Sequence, residues 1–317
     1  MERKRILVTG VLGFIGSFFA KYLLEKGNYE IIGIGRNSDQ RKFKRIEPIK
    51  NNPNFSLVFK DLAKDDLSDL MDGIDMVIHF ASKTFVNHSI RDPQPFIQSN
   101  VVGTFRLLEE ARRYKPKLFL QFSTDEILGS ILRGSYKENA KWNPSNPYSA
   151  TKAAADALTI AYHNTYGLNT IITRTENNYG PYQHPQKALP TFCRSALEGK
   201  PLPVYGDGKH KRMWLHVNDT CRAVELLMQK GKIGEIYHIA GEQELENIEL
   251  AKIVLKVLGK PENQIKLVPD FNIRRGHDRR YALNVEKLKS LGWEPKYNLK
   301  EGLKETIFWY RDNPNWF

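Results

Sequence analysis

An α/β fold built on a doubly wound parallel sheet, with a smaller discontinuous α/β lobe, is what this 317-residue sequence predicts. Two observations carry the prediction. Short apolar strands alternate with helical segments up to about residue 175, and the first strand runs straight into a glycine turn and an amphipathic helix. Beyond about residue 176 the texture changes to stretches such as NNYGPYQHPQKALP, whose Asn, Pro and Tyr content favours loops.

Arg5 to Thr9 reads as the first strand, and Gly10-Val11-Leu12-Gly13-Phe14-Ile15-Gly16 follows at once. Ser17 to Glu25 has helical apolar spacing and closes at Gly27. Glycines spaced G-x-x-G-x-x-G between a strand and a helix permit a tight turn. They let backbone N–H groups approach a pyrophosphate at the positive helix end. Gly10, Gly13, Phe14, Ile15 and Gly16 are therefore candidate dinucleotide ligands, and the fold is expected to be Rossmann-like. The second strand, Glu30 to Gly35, ends at Arg36-Asn37-Ser38 rather than at an acid. Arg36 and Ser38 suit a 2′-phosphate, hence NADP; alternatively Asp39 holds the ribose, or Arg36 stacks on adenine, which leaves NAD open.

Phe55 to Phe59 is the third strand, and Asp61, with Leu62 beside it, is placed to reach an adenine amino group. Asp75 to Phe80 is the fourth, followed by Ala81 and Ser82, small enough for a cofactor ribose to lie across the strand end. Asn100 is expected to cap a helix with apolar positions Val101, Phe105, Leu108 and Ala111. Lys117 to Phe122 and Asn169 to Arg174 are the fifth and sixth strands. The tail from Asn247 carries two amphipathic helices, the basic segment IRRGHDRRYAL and a helix near Leu299 to Tyr310. The expected division is 1–175 plus about 215–240 for the dinucleotide domain, and about 176–214 and 241–317 for the second lobe.

The fifth strand delivers Ser123-Thr124-Asp125-Glu126 at a parallel-strand end, where ligands of such sheets bind. Tyr-x-x-x-Lys occurs three times. Tyr22/Lys26 lies on the first helix, and Tyr205/Lys209 is interrupted by Gly206 and Gly208. Only Tyr148/Lys152 starts a helix, after Pro147, and projects both groups from one face. An ammonium beside a phenol lowers the phenol pKa toward the useful range. Adjacent carboxyls can divide acid and base work if their environments differ.

Composition narrows the class. No apolar run approaches the roughly 18–20 residues that span a bilayer. The apolar run in MERKRILVTG is too short for a signal peptide. Two cysteines, Cys193 and Cys221, give no disulfide framework and point to a reducing, cytoplasmic setting. The eight histidines lack ligand spacing, so no metal site is indicated. The net charge of +12 is spread along the chain without interleaved aromatics, which argues for steering of anionic small ligands over nucleic-acid binding.

TGVLGFIGS, IQSNVVGTFRLLEEAR, FSTDE, PYSATKAAAD, TRTENNYGPYQHPQKALP, VYGDGKHKRMWLHVND and RRGHDRRYAL are distributed along nearly the whole chain. They resemble the extended short-chain dehydrogenases/reductases, and among them the nucleotide-sugar 4,6-dehydratases of the dTDP-glucose type. The resemblance implies conversion of an NDP-hexose, dTDP-glucose first, to the 4-keto-6-deoxy sugar and water. A nucleotide-sugar epimerase, decarboxylase or reductase is the alternative. By the resemblance Tyr148 takes the C4 hydroxyl proton, helped by Thr124, while Lys152 lowers its pKa and holds the nicotinamide ribose. Glu126 removes the C5 proton and Asp125 protonates the leaving C6 hydroxyl. Asn177, Lys187, Ala188, Leu189, Arg212, Asn247, Arg274 and His277 match positions that hold the nucleotide diphosphate or its base. The resemblance also implies a homodimer joined through a four-helix bundle. The chain departs from the family pattern at Arg36, Lys83, Phe85, Leu128 and Met213, which bear on the sugar, the base and the NAD/NADP choice.

Overall fold

The computed structural model describes residues 3–36, 40–269 and 277–317. Its strands begin with β1 (Lys4–Thr9), β2 (Tyr29–Gly35), β3 (Phe55–Phe59), β4 (Met76–His79), β5 (Leu118–Thr124) and β6 (Thr170–Thr175). Then come β7 (Asn177–Tyr179), β8 (Leu202–Tyr205), β9 (Lys211–His216), β10 (Ile236–Ile239), β11 (Glu244–Glu246) and β12 (Ile265–Val268). Seven of them form one sheet in the order β10-β6-β5-β4-β1-β2-β3, every pairing parallel. All six expected strands are present, and β10 adds the seventh.

Parallel strands covered on both faces read as continuous apolar runs, and β1, β4 and β5 do. Leu7, Val77 and Phe119 fill one face, while Ile6, Val8, Ile78 and Leu120 fill the other. Strand order reverses between β1 and β4, which makes the space beyond Gly10 and Ala81 the switch-point crevice. The helix Phe14–Lys26 starts earlier than the spacing suggested because Gly13 takes the extended N-cap conformation. Gly27, at φ 77°, ends it.

The remaining strands form two small sheets, β11-β9-β7 and β12-β8. With helices Ala188–Leu197, Asn247–Val257 and Leu299–Asp312 they enclose a separate core that includes Phe192, Leu250, Val254, Leu303 and Tyr310. Leu288 and Trp293 instead pack into the main sheet's core. Buried Asp219 fixes that return, its carboxylate accepting the Lys296 and Tyr297 N–H groups at 2.9 and 3.0 Å.

Asn100 does not cap a helix. It lies inside a π-helical stretch, Ile97–Val102, that continues directly into the helix Gly103–Tyr114. The wider turn shifts the apolar stripe, so Leu107, Leu108 and Ala111 face the core while Phe105 is 44% exposed. The Asn100 amide serves tertiary contacts instead: it bonds the Lys83 N–H at 2.8 Å, the Lys83 carbonyl at 3.0 Å and the Thr151 hydroxyl at 3.0 Å.

The helix Pro147–Tyr166 is set by a capping box. The Asn146 side chain accepts the Ser149 N–H at 2.9 Å, and the Ser149 hydroxyl accepts the Asn146 N–H at 3.2 Å. Tyr148, Lys152 and Asp156 follow at successive i, i+4 positions, all buried. Asp156 meets Arg174 of β6 at 3.2 Å, both fully buried, and the guanidinium lies 5.3 Å from the Trp142 ring. Asp156→Ala would leave Arg174 buried without its counter-charge, and is expected to lower stability by about 3–5 kcal/mol. Urea unfolding checks this; a loss under about 1 kcal/mol would mean that the pair does not anchor the helix.

Candidate active site

The crevice at the switch point is lined by Gly10, Gly13, Arg36, Asp61, Leu62 and Ala81, as the sequence predicts, and also by Lys42, Lys60 and Ser99. Its floor needs glycine. Gly10 has φ +70°, and a Cβ there would lie 2.8 Å from the Ala81 nitrogen. A Cβ on Gly16 would lie 2.4 Å from the Gly10 carbonyl oxygen, so the first helix and β1 could not close. The first-turn amides of Phe14, Ile15 and Gly16 have no intrahelical acceptor, and the helix starts directly after Gly13, which lines this space. A dinucleotide pyrophosphate fits such a cradle. At the far end Arg36 Nη1 sits 3.6 Å from Asp61 Oδ2, so these two expected ligands face each other. Asn37, Ser38 and Asp39 lie outside the described residues.

β5 runs two residues further than expected, to Thr124, so Asp125 and Glu126 leave the sheet at its carboxyl end in a 3-10 turn. Thr124 caps that turn, its hydroxyl accepting the Glu126 N–H at 3.3 Å and donating to Asp125 Oδ1 at 3.0 Å. The Tyr148 phenol faces the same hydroxyl. Glu126 Oε2 accepts from Asn146 Nδ2 at 3.4 Å, so the residue that caps the Tyr148 helix also holds the carboxylate. Lys152 Nζ donates to the Phe122 carbonyl at 2.7 Å. All five expected catalytic residues thus converge on one strand end. The other two Tyr/Lys pairs lie elsewhere: Tyr22 bonds Glu225, and Gly206 and Gly208 both have positive φ.

Electrostatics divide the carboxyls. Burial, then the Glu126 charge, pushes the Asp125 carboxyl up to about 8. Glu126 is also raised by burial, but Lys187, Arg212 and Asn146 oppose the rise. A proton therefore resides more readily on Asp125. Burial pushes the Tyr148 phenol up, and the Glu126 charge adds to it. The expected lowering by Lys152 is not what dominates here, because the ammonium is turned to the Phe122 carbonyl and carboxyls surround the phenol. Lys152 itself falls to about 8 through burial, offset by Asp156.

Of the expected substrate residues, Lys187 and Arg212 act together on Glu126. Lys187 Nζ lies 4.8 Å from the Phe85 ring, and Ala188 and Leu189 open the helix behind it. The Arg212 guanidinium stacks 4.4 Å from the Tyr281 ring and donates to the Asp278 carbonyl at 2.8 Å. His277 Nε2 meets Asn87 Oδ1 at 2.8 Å. Asn177 lies on β7, and Asn247 starts its helix with its N–H on the His210 carbonyl at 3.0 Å. Arg274 lies outside the described residues. Leu128 is fully buried with Ile127, Ala153 and Leu283, so this departure is a core position and not an open wall.

Two supports of the site come from residues far along the chain and carry no motif. Ser89 Oγ accepts the Tyr148 N–H at 3.1 Å from 59 residues away. A buried relay also joins the glycine turn to the Tyr148 helix: the Ala81 N–H meets Thr9, whose hydroxyl meets His79 Nδ1 at 2.6 Å. His79 Nε2 then meets Thr104, which donates to the Asn100 carbonyl. Burial pushes His79 down to about 3, so it stays neutral, with the proton on Nε2 to suit Thr104. A polar residue in an apolar helical window, as at Asn100, was the one available signal.

A family model described as GDP-mannose 4,6 dehydratase matches residues 7–306. A dTDP-glucose 4,6-dehydratase of Streptomyces niveus is 41% identical over 320 residues, spanning 99% of this chain and 94% of the relative. A trifunctional Arabidopsis thaliana protein, named for UDP-glucose 4,6-dehydratase, 3,5-epimerase and reductase activities, is 38% identical across 99% of this chain and 48% of its own length. The crystal structure of a dTDP-glucose 4,6-dehydratase from Streptomyces venezuelae, with NAD and TYD bound, matches with a TM-score of 0.94 at 40% identity, covering 99% of this chain and 98% of that one. With the Asp125-Glu126 carboxyls and the Tyr148/Lys152 pair at one strand end, the chain belongs to the nucleotide-sugar 4,6-dehydratases, NAD-dependent hydro-lyases of the extended short-chain dehydrogenase/reductase family.

Proposed function

We propose that this chain dehydrates dTDP-glucose to the dTDP-4-keto-6-deoxyhexose, with NAD as the resident cofactor. The observation that carries the reading is the pair of buried Asp125 and half-buried Glu126 beside Tyr148. A sugar 4-epimerase of this fold needs the Tyr/Lys pair but has no use for a second acid and base. Two relatives named for dTDP-glucose support that nucleotide, and the Arabidopsis relative makes UDP-glucose the second candidate. The sugar nucleotide would lie between the dinucleotide domain (1–175 with about 215–240) and the second lobe (about 176–214 and 241–317). Lys187, Arg212 and His277 would stand near its phosphates, and Asn177, Ala188, Leu189, Asn247 and Arg274 are proposed to complete the site.

When bound, the nicotinamide takes the C4 hydride and returns it to C6. Tyr148, as phenolate, accepts the C4 hydroxyl proton, with Thr124 at the same oxygen. The resulting 4-ketone acidifies C5–H, and Glu126 removes that proton. Asp125 protonates the C6 hydroxyl as the C6–O bond breaks, releasing water. Glu126 then returns its proton to C5. The proton that Tyr148 gained replaces the one Asp125 gave, so every group resets. Lys152, held by the Phe122 carbonyl one turn along the helix from Tyr148, would meet the nicotinamide ribose. The raised Tyr148 phenol requires that positive charge arrive with the cofactor before the base is competent.

Tyr148→Phe is expected to lower kcat at least about 10²-fold, the ordinary size of a general-base contribution. Glu126→Gln should instead retain C4 oxidation while losing the 4-keto-6-deoxy product. An unchanged product rate in either variant would sink the assignment.

The cofactor and assembly readings share one test. Asp61 faces Arg36, which offsets the charge a 2′-phosphate would need, and the Streptomyces venezuelae structure holds NAD. Exposed Ile97 and Phe105 give an apolar face that supports a homodimer through the Gly103–Tyr114 and Pro147–Tyr166 helices. Native mass spectrometry of protein from the cytoplasm of an expression host should show a dimer carrying NAD. A NADP mass would assign Arg36 to the 2′-phosphate, and a monomer at micromolar concentration would remove the dimer.

A further inference from the structure

Asp125 and Glu176 are register neighbours. β5 and β6 pair in parallel with Thr124 opposite Thr175, so the next residue on each strand leaves the sheet from adjacent ends. Glu176 is 4% exposed and firmly held. Its N–H bonds the Ile239 carbonyl at 3.3 Å, and its own carbonyl accepts from Asn178 Nδ2 at 3.0 Å. Oε1 accepts the Leu283 N–H at 2.6 Å, and the Met213 amide also faces the carboxyl. Oε2 is buried with no hydrogen-bond partner among the described residues. A carboxylate so placed costs far more than a carboxylic acid.

The charges around the pair favour one proton between them. Asp125 and Glu244 face Glu176, and Glu244 is met by Arg280 at 2.7 Å. Asp125 faces Glu126, with Arg212 the cation that offsets it, and Arg212 is already engaged by the carbonyls of Lys211, Asp278 and Arg279. Lys187 and Asp278 act on Glu126, and Tyr148 faces both Asp125 and Glu126 from its helix. Burial raises both Asp125 and Glu176, and the Asp125 charge opposes ionisation of Glu176; a coulombic coupling of this kind acts on both members of a pair.

We propose that Glu176 is a positioning residue for the dehydration acid: it shares a single ionisation with Asp125, so that a proton stays on the pair and Asp125 can donate over a wider pH range than it could alone. Neighbouring carboxyls with no cation between them do not both ionise, and the charge on one holds the proton on the other. The inference rests on reading Asp125 as the acid. Over a turnover Glu176 neither gains nor loses a proton, because the one Asp125 gives to the leaving hydroxyl is made up from Tyr148.

Glu176→Gln keeps the acceptor for Leu283 and the shape of the site but cannot ionise. The basic limb of kcat is expected to move to lower pH by about one pH unit or more, with KM for the sugar nucleotide unchanged. Glu176→Asp should bring the limb back. At pH 7 the infrared difference between wild type and Glu176→Gln should contain a protonated-carboxyl band, a readout that needs no turnover. Should the Gln variant not fold, Asp125→Asn reports the same coupling in reverse, since Glu176 freed of its neighbour's charge ionises at lower pH. An unmoved limb, a missing band, or a Glu176 band that titrates alike in the wild type and in the Asp125→Asn variant would overturn the proposal. If the wild type forms no 4-keto-6-deoxy product, the dehydratase reading fails, and the infrared titration still decides whether the pair shares a proton.

Discussion

The site depends on how one helix is fastened to two strands. Lys152 donates to the Phe122 carbonyl of β5, and Asp156, a turn later, holds Arg174 of β6. Charges buried this completely are tolerated only when paired or hydrogen-bonded, so the helix has little freedom to rotate or slide. Tyr148 is one turn earlier on the same face. Its place above Thr124 follows from those two contacts, with the Asn146 cap and Ser89 fixing the helix start. Catalytic geometry here is a by-product of charge pairing inside the protein.

That burial also sets the chemistry. A carboxyl pair on a surface turn would ionise together and offer two bases. At the end of β5 it is desolvated, and the cations Lys187 and Arg212 favour ionisation of Glu126. Asp125, raised by burial and by the Glu126 charge, keeps its proton more readily than Glu126. Two adjacent residues of like type are thus given unlike proton affinities, the condition that the proposed acid and base roles require. The same desolvation raises the Tyr148 phenol, so in the proposed mechanism proton removal at C4 is tied to the charge brought by the cofactor.

Much of the fold was legible because its signals are local. The strand–glycine–helix succession at Thr9 to Gly27, the six strands and the single credible Tyr/Lys pair all follow from spacing within one window. The same holds for Asp125-Glu126, whose position at a strand end needs only the length of β5. What escaped the sequence depends on partners far along the chain. Ser89 supports Tyr148 across 59 residues, and Glu176 matters only through the β5–β6 register. Asn100 looked like a cap because Asn before an apolar stripe usually is one; the π turn that makes it a tertiary bridge leaves no local mark. Leu128 looked like a pocket departure, yet its side chain turns into the core. The Lys152 effect on Tyr148 misled for a similar reason, since spacing puts them on one face but cannot say where the ammonium points.

The central claim is that hydride leaves C4 and returns to C6 of the same sugar, with water lost in between. dTDP-glucose deuterated at C4 tests it most directly, with product analysed by NMR after turnover alongside unlabelled substrate of a second, mass-tagged kind. The account predicts deuterium at C6 of the 4-keto-6-deoxy product, with none crossing to the tagged molecules. Deuterium still at C4 of an intact or epimerised hexose, or lost to solvent, would contradict it.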